Sequence, residues 1–115
     1  MRRIIYLLLV VAMMTTTITP ASASNVHVVG GGNGTCTYDG YHDYFSDVVF
    51  ASTQVNSGPC STVKVEAKIK VNGSWTIRSW YGYSGYVERS WGYDDFNWTR
   101  HTVWGGPSPA VWKIY

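Results

Sequence analysis

Helical periodicity is missing from this sequence. No window carries apolar residues at 3.6-residue spacing over three turns, which excludes a helical domain. Long apolar runs are scarce as well: the one from Ile4 to Met14 has eleven residues, short of the roughly 20 that cross a bilayer. No GKS or GKT follows the glycine run at 30–34, so a phosphate-cradling loop is excluded and the run reads as a flexible turn. No serine stands in a nucleophile elbow, and His27, His42 and His101 are scattered, so catalytic triads find no support. The EF-hand spacing is absent, and two cysteines 24 positions apart without a clustered His pair make a poor zinc site. The sequence therefore predicts no metal, no cofactor and no enzymatic activity.

The chain opens MRRIIYLLLVVAMMTTTITPASAS, with two arginines, the apolar run, a helix breaker and small residues. That is the layout of a secretory signal peptide, and Ala21-Ser22-Ala23 suits cleavage. The expectation is a leader over 1–23 and a single secreted domain over 24–115, with an uncleaved anchor as the competing reading. Without Arg2 and Arg3, the nine Lys and Arg fall to seven, against seven Asp and Glu. The mature chain is thus neutral and lacks the broad basic footprint of a nucleic-acid binder. Asp39, Asp43 and Asp47 come early while Lys64, Lys68 and Lys70 come midway, which reads as ordinary solvated faces. In an exported chain Cys36 and Cys60 are expected to pair. Closing that loop stabilises a small domain by roughly 3 to 4 kcal/mol.

Glycine and turn dipeptides recur, and β-branched and aromatic residues dominate between them. The fold class expected is all-β: an antiparallel β-sandwich of about seven strands with one disulfide, or alternatively a small closed barrel. Strands are predicted at 25–29, 35–38, 47–55, 63–70, 97–104 and 110–115, with DGYHDY (39–44) as a turn and NSGP (56–59) as a strand breaker. Within KVEAKIKVNGSWTIRSW (64–80), a two-residue Asn72-Gly73 turn would set Lys70 opposite Trp75. A three-residue loop, Val71-Asn72-Gly73, would set Ile69 opposite Trp75 and Glu66 opposite Arg78. Only the second keeps polar residues off the valine face, so it predicts a core Trp75, with Trp80 among the lysines. Trp98, Arg100, Thr102 and Trp104 are expected to share one face, opposite Thr99, His101 and Val103.

Six Trp, three Phe and eight of the nine Tyr follow residue 23, more rings than a small core holds easily. The candidate ligand-binding patch is Trp80, Tyr81, Tyr83, Tyr86, Trp91 and Tyr93. The competing reading has these rings covering the sandwich and filling its ends. Asp39, His42, Asp43 and Asp47 form the densest polar cluster; an acid–base pair there is conceivable, but turn formation and solvation explain the same residues. Asn33, Asn72 and Asn97 head glycosylation sequons, the first two also explained as turns.

GGGNGTCTYDG, YHDY, AKIKVNGSW and VWKIY together resemble the lactococcin-type bacteriocins, small exported proteins, over roughly half the mature chain. The resemblance implies a small β-sandwich acting on cell-wall precursor at the envelope of sensitive bacteria. The cysteine pair and the segment from Glu88 onward depart from that pattern, and no functional residue carries over. The function expected is a secreted, non-enzymatic binding protein engaging a cell-envelope or glycan ligand, bacteriocin-like, through surface aromatics. The alternative is an inhibitor of an extracellular hydrolase, offering a turn such as GYSGY (82–86) to the enzyme's cleft. A hydrolase built on the Asp39–Asp47 cluster and a self-assembling surface protein are further readings. Partners are a cell-wall or glycan ligand or an extracellular protein, with no nucleic acid and no membrane span after leader cleavage.

Overall fold

The computed structural model describes residues 26–31, 34–106 and 108–115. The expected leader and Asn33 lie outside these. Eight strands follow in order: β1 Val26–Gly31, β2 Gly34–Phe45, β3 Val48–Ser57, β4 Val63–Val71, β5 Ser74–Gly82, β6 Tyr86–Gly92, β7 Asp95–Val103 and β8 Ala110–Ile114. They form two antiparallel four-stranded sheets, ordered β1-β2-β3-β6 and β5-β4-β7-β8. The two pack face to face without closing into a barrel, so the sandwich is the architecture and the closed barrel is not. The eighth strand is β6, whose irregular aromatic sequence shows no clean alternation.

DGYHDY is not a turn. It is the second half of β2, where Tyr38, Gly40 and His42 point inward and are buried, alternating with half-buried Asp39, Tyr41 and Asp43. The chain reverses only at Ser46-Asp47, with Ser46 in the left-handed region. Asn56 and Ser57 likewise continue β3 instead of breaking it. Asp95 opens β7, and Asp94 lies in the turn between β6 and β7.

The β4–β5 hairpin takes the two-residue turn. Val71 pairs with Ser74, Lys70 with Trp75, Ala67 with Arg78 and Val65 with Trp80. Asn72 and Gly73 both have positive φ, 52° and 81°, the conformation that makes Asn-Gly the preferred pair for tight hairpins. The three-residue loop is therefore overturned, and a one-residue slip exchanges every side chain between faces. Trp75 is not core: it lies on the lysine side of the sheet and is 44% exposed. Trp80 lies on the opposite side from the lysines, in line with Val65.

Inward-facing residues form two apolar clusters. The larger gathers Val29, Tyr38, Ala51, Val63, Val65, Val87 and Val103 around the Cys36–Cys60 disulfide. The smaller holds Val49, Ala67 and Ile69 under Tyr93 and Phe96, and Trp91 packs against both. Cys36 sits in β2 and Cys60 in the crossover to β4, so the bond staples one sheet to the segment that starts the other.

Among the apolar side chains lies a fully buried polar chain. The Thr53 hydroxyl donates to the Lys64 carbonyl (3.0 Å), so it accepts from His101 Nδ1–H (2.9 Å). Burial, reinforced by neighbouring His42, pushes the His101 imidazole down to about 3. The ring is therefore neutral, and its Nε2 accepts from the Thr99 hydroxyl at 2.9 Å. Thr99 Oγ1 in turn accepts from His42 Nδ1–H at 2.7 Å. The four side chains are thus linked donor to acceptor, which limits the penalty of burying polar groups.

Candidate functional site

The outward face of the β5-β4-β7-β8 sheet is where rings and cations meet. Strand alternation and the observed registers place Trp75, Ile77, Ser79 and Tyr81 of β5 on this face. Beside them stand Lys64, Glu66, Lys68 and Lys70 of β4, then Trp98, Arg100 and Thr102 of β7, then Val111 and Lys113 of β8. The expected grouping along β7 holds, with Thr99, His101 and Val103 buried on the other side.

Two groups of rings, one stacked and one linked only through cations, flank a central ion pair. At one end Tyr83, Tyr81 and Trp104 lie nearly parallel, with centroids 6.4 and 6.0 Å apart. Lys64 Nζ stands 5.6 Å from both the Tyr81 and Trp104 rings. Further along, Lys68 Nζ lies 6.0 Å from the Trp75 ring. Trp98, only 6% exposed although it faces outward, is covered by Lys113 Nζ at 4.7 Å and the Arg100 guanidinium at 5.0 Å. Tyr115 extends this second cluster, 5.9 Å from Lys113. The row of Lys64 and the rows of Lys68 and Lys70 are four to six residues apart, about 13 to 20 Å along an extended strand.

Between the clusters Glu66, 5% exposed, accepts two hydrogen bonds from Arg100 (2.8 and 2.7 Å) and a contact from Lys64 at 3.3 Å. Burial alone would raise its carboxyl pKa. The Arg100 bonds and the two positive charges outweigh that and hold it below the usual carboxylate range. The expected Glu66–Arg78 pairing is replaced by this one, a consequence of the corrected register.

Charge is divided between the two sheets. The outward face just described carries Lys64, Lys68, Lys70, Arg100 and Lys113 against Glu66 and Asp95. The outward face of the other sheet carries Asp39, Asp43 and Glu88 and no cation among the described residues; Asp47 lies in its β2–β3 turn. The early acids and the later lysines thus lie on solvated faces on opposite sides of the sandwich.

The expected patch does not form one surface. Tyr81 and Tyr83 join the first cluster, but Trp91 and Tyr93 pack against the core. Tyr86 lies on the acidic sheet and donates to Glu88 at 2.6 Å. Trp80, 49% exposed, closes the open edge between β5 and β6 under the Arg89 guanidinium, 4.1 Å from its ring. Sequence reasoning missed Trp75, Trp98, Trp104 and Tyr115 as site residues; the shared parity of Trp98 and Trp104 with Arg100 was the available clue. The Asp39–Asp47 cluster does not assemble: His42 is buried among the core polar groups while Asp39 and Asp43 face outward, Asp39 accepting from Asn56 at 2.8 Å. Among the described residues no group of three His, Cys, Asp or Glu is placed to hold a metal ion, and no helix is long and apolar enough to cross a membrane.

No known family model, curated protein or solved structure matches this chain.

Proposed function

We propose that the chain is a secreted, non-enzymatic binding protein that engages a glycan of the cell envelope, in the manner of a bacteriocin. The outward face of the β5-β4-β7-β8 sheet is the contact surface. The carrying observation is the stack of Tyr81, Tyr83 and Trp104 at one end of this face and, toward the other, the exposed rings of Trp75 and Tyr115, each beside a lysine. Flat aromatic faces carry partial negative charge and receive the C–H faces of sugar rings as well as cations. Mounting them on paired strands avoids the ordering cost a flexible loop would carry. The test is retention on purified cell walls and immobilised glycans by wild type, Trp75→Ala and Tyr81→Ala. Loss in both variants, with unchanged far-UV circular dichroism, supports the reading; equal retention of all three, or no retention of wild type, refutes it.

A second reading, inhibition of an extracellular hydrolase, draws support from the loop between β5 and β6. Tyr83 at its tip is 71% exposed. Its base is pinned where Gly85 N–H donates to Ser61 O (2.8 Å) and Val55 N–H donates to Gly85 O (2.7 Å). A fixed loop with a projecting ring suits insertion into a cleft. Assay of glycosidases and proteases with excess protein decides it: no inhibition by wild type, or equal inhibition by Tyr83→Ala, removes this reading.

A further inference from the structure

Resting on the glycan reading, we infer that the ligand is acidic: a polysaccharide whose sugar rings bear carboxylates, of the polyuronate class, lying along β4 from one ring cluster to the other. Three observations converge on it.

The first is the state of the lysines. Lys64 contacts Glu66, but Lys68, Lys70 and Lys113 have no carboxylate within ion-pair distance among the described residues, although Asp95 is the strand partner of Lys70. These three ammonium groups stand on a face where Arg100 and Lys64 already neutralise Glu66. The face thus carries more positive charge than its own carboxylates offset. Cations presented this way attract and position an anion.

The second is the interleaving of rings and charges. Each cluster pairs aromatic faces with a lysine within 6.0 Å of a ring centroid: Lys64 at Tyr81 and Trp104, Lys68 at Trp75, Lys113 at Trp98 and Tyr115. A polymer alternating flat ring with carboxylate matches that alternation. A neutral glycan would use the rings and leave the lysines solvated, whereas a ring-less polyanion would use the lysines and leave the rings idle. Two clusters about 13 to 20 Å apart call for an extended ligand of several units.

The third is the sign of the rest of the molecule. The opposite sheet displays Asp39, Asp43 and Glu88, so an anionic chain is repelled there and confined to one face. Residues 24–115 carry equal numbers of acids and bases, which deprives a nucleic acid of the molecule-wide positive field that usually brings it in.

The experiment is titration at low salt with polygalacturonate, its full methyl ester, polyphosphate and a single-stranded oligonucleotide. Wild type is expected to bind polygalacturonate at least about tenfold more tightly than each of the other three. Lys68→Gln/Lys113→Gln is expected to lose about tenfold, while Arg78→Gln, a charge removed from the other side of β5, changes little. Equal affinity for the acid and its ester, or an equal loss in Arg78→Gln, overturns the acidic ligand while sparing the glycan reading. Polyphosphate or the oligonucleotide bound as tightly as polygalacturonate overturns it by showing that charge alone is read. Binding to none of the four, with none to neutral glycans, removes both.

Discussion

The imidazole of His101 on β7 presses against the bare backbone of Gly40 on β2: a methyl group at Gly40 would stand 2.5 Å from His101 Cγ and 2.8 Å from Cδ2. Gly40 has an ordinary strand conformation, with no positive φ. Its role is to leave room for a ring crossing from the facing sheet, so that His101 can reach Thr53 and Thr99.

Gly40→Ala is therefore expected to destabilise the fold by about 2 kcal/mol through overpacking. Adding His101→Ala removes the colliding ring, so the double variant should lose less than the sum of the singles. Denaturant titration of the four proteins measures the coupling; strict additivity would contradict the contact.

Acid should weaken the protein before most carboxylates protonate. Unfolded, His101 titrates near 6.5, whereas in the fold burial holds it near 3. The unfolded chain consequently binds more protons between those values, and stability present above pH 6.5 is lost as pH falls toward 3. His101 alone accounts for about 3 kcal/mol between pH 7 and pH 4. His42 and His27, also lowered by burial, act in the same direction. Denaturant midpoints across that range, with His101 ring resonances unchanged down to about pH 4, would bear this out.

Gly73→Ala isolates backbone strain from packing. At φ 81° the glycine occupies the left-handed region, and nothing lies within 4 Å of the position a Cβ would take. The expected cost is about 1 kcal/mol, with no change of strand register. Thermal denaturation and backbone chemical shifts check both halves of that statement.

Arg100→Met leaves the buried Glu66 carboxylate with Lys64 as its one charged contact. A loss of about 2 to 3 kcal/mol is expected at pH 7. It should shrink as pH falls through the folded-state pKa of Glu66, because a neutral acid no longer needs the guanidinium. Glu66→Gln combined with Arg100→Met should recover part of the loss.

Cys36→Ala/Cys60→Ala should lower stability by about 3 kcal/mol, read from denaturant midpoints. With Cys36 fully buried, and Cys60 nearly so, the effect includes lost packing at the centre of the larger cluster.

The all-β class, the disulfide and the face shared by Trp98, Arg100, Thr102 and Trp104 were legible because each rests on local rules: alternation, cysteine count and absence of helical period. The β4–β5 register was not, because the choice was made on burial. Hydrophobicity assigns Trp75 to the core, yet β5 is an edge strand whose outward rings are partnered by lysines instead. Turn chemistry at Asn72-Gly73 outweighed hydrophobicity, as it does where one side of a strand has little to bury against. DGYHDY misled for a related reason, since its glycine and aspartates carry turn preferences while Gly40 serves a contact with a residue 61 positions later. The two-signed arrangement of charge needed the sheet order, which sets β4 beside β7, and β7 beside β8, across a long stretch of sequence.

That arrangement of charge has a kinetic meaning. Near any negatively charged surface, within a Debye length of about 8 Å in physiological salt, a molecule with lysines on one face and acids on the other would feel a torque as well as a net force. Like a compass needle it would turn its lysines inward and its aspartates outward before any atom touches, and raising the salt would cost it that alignment first.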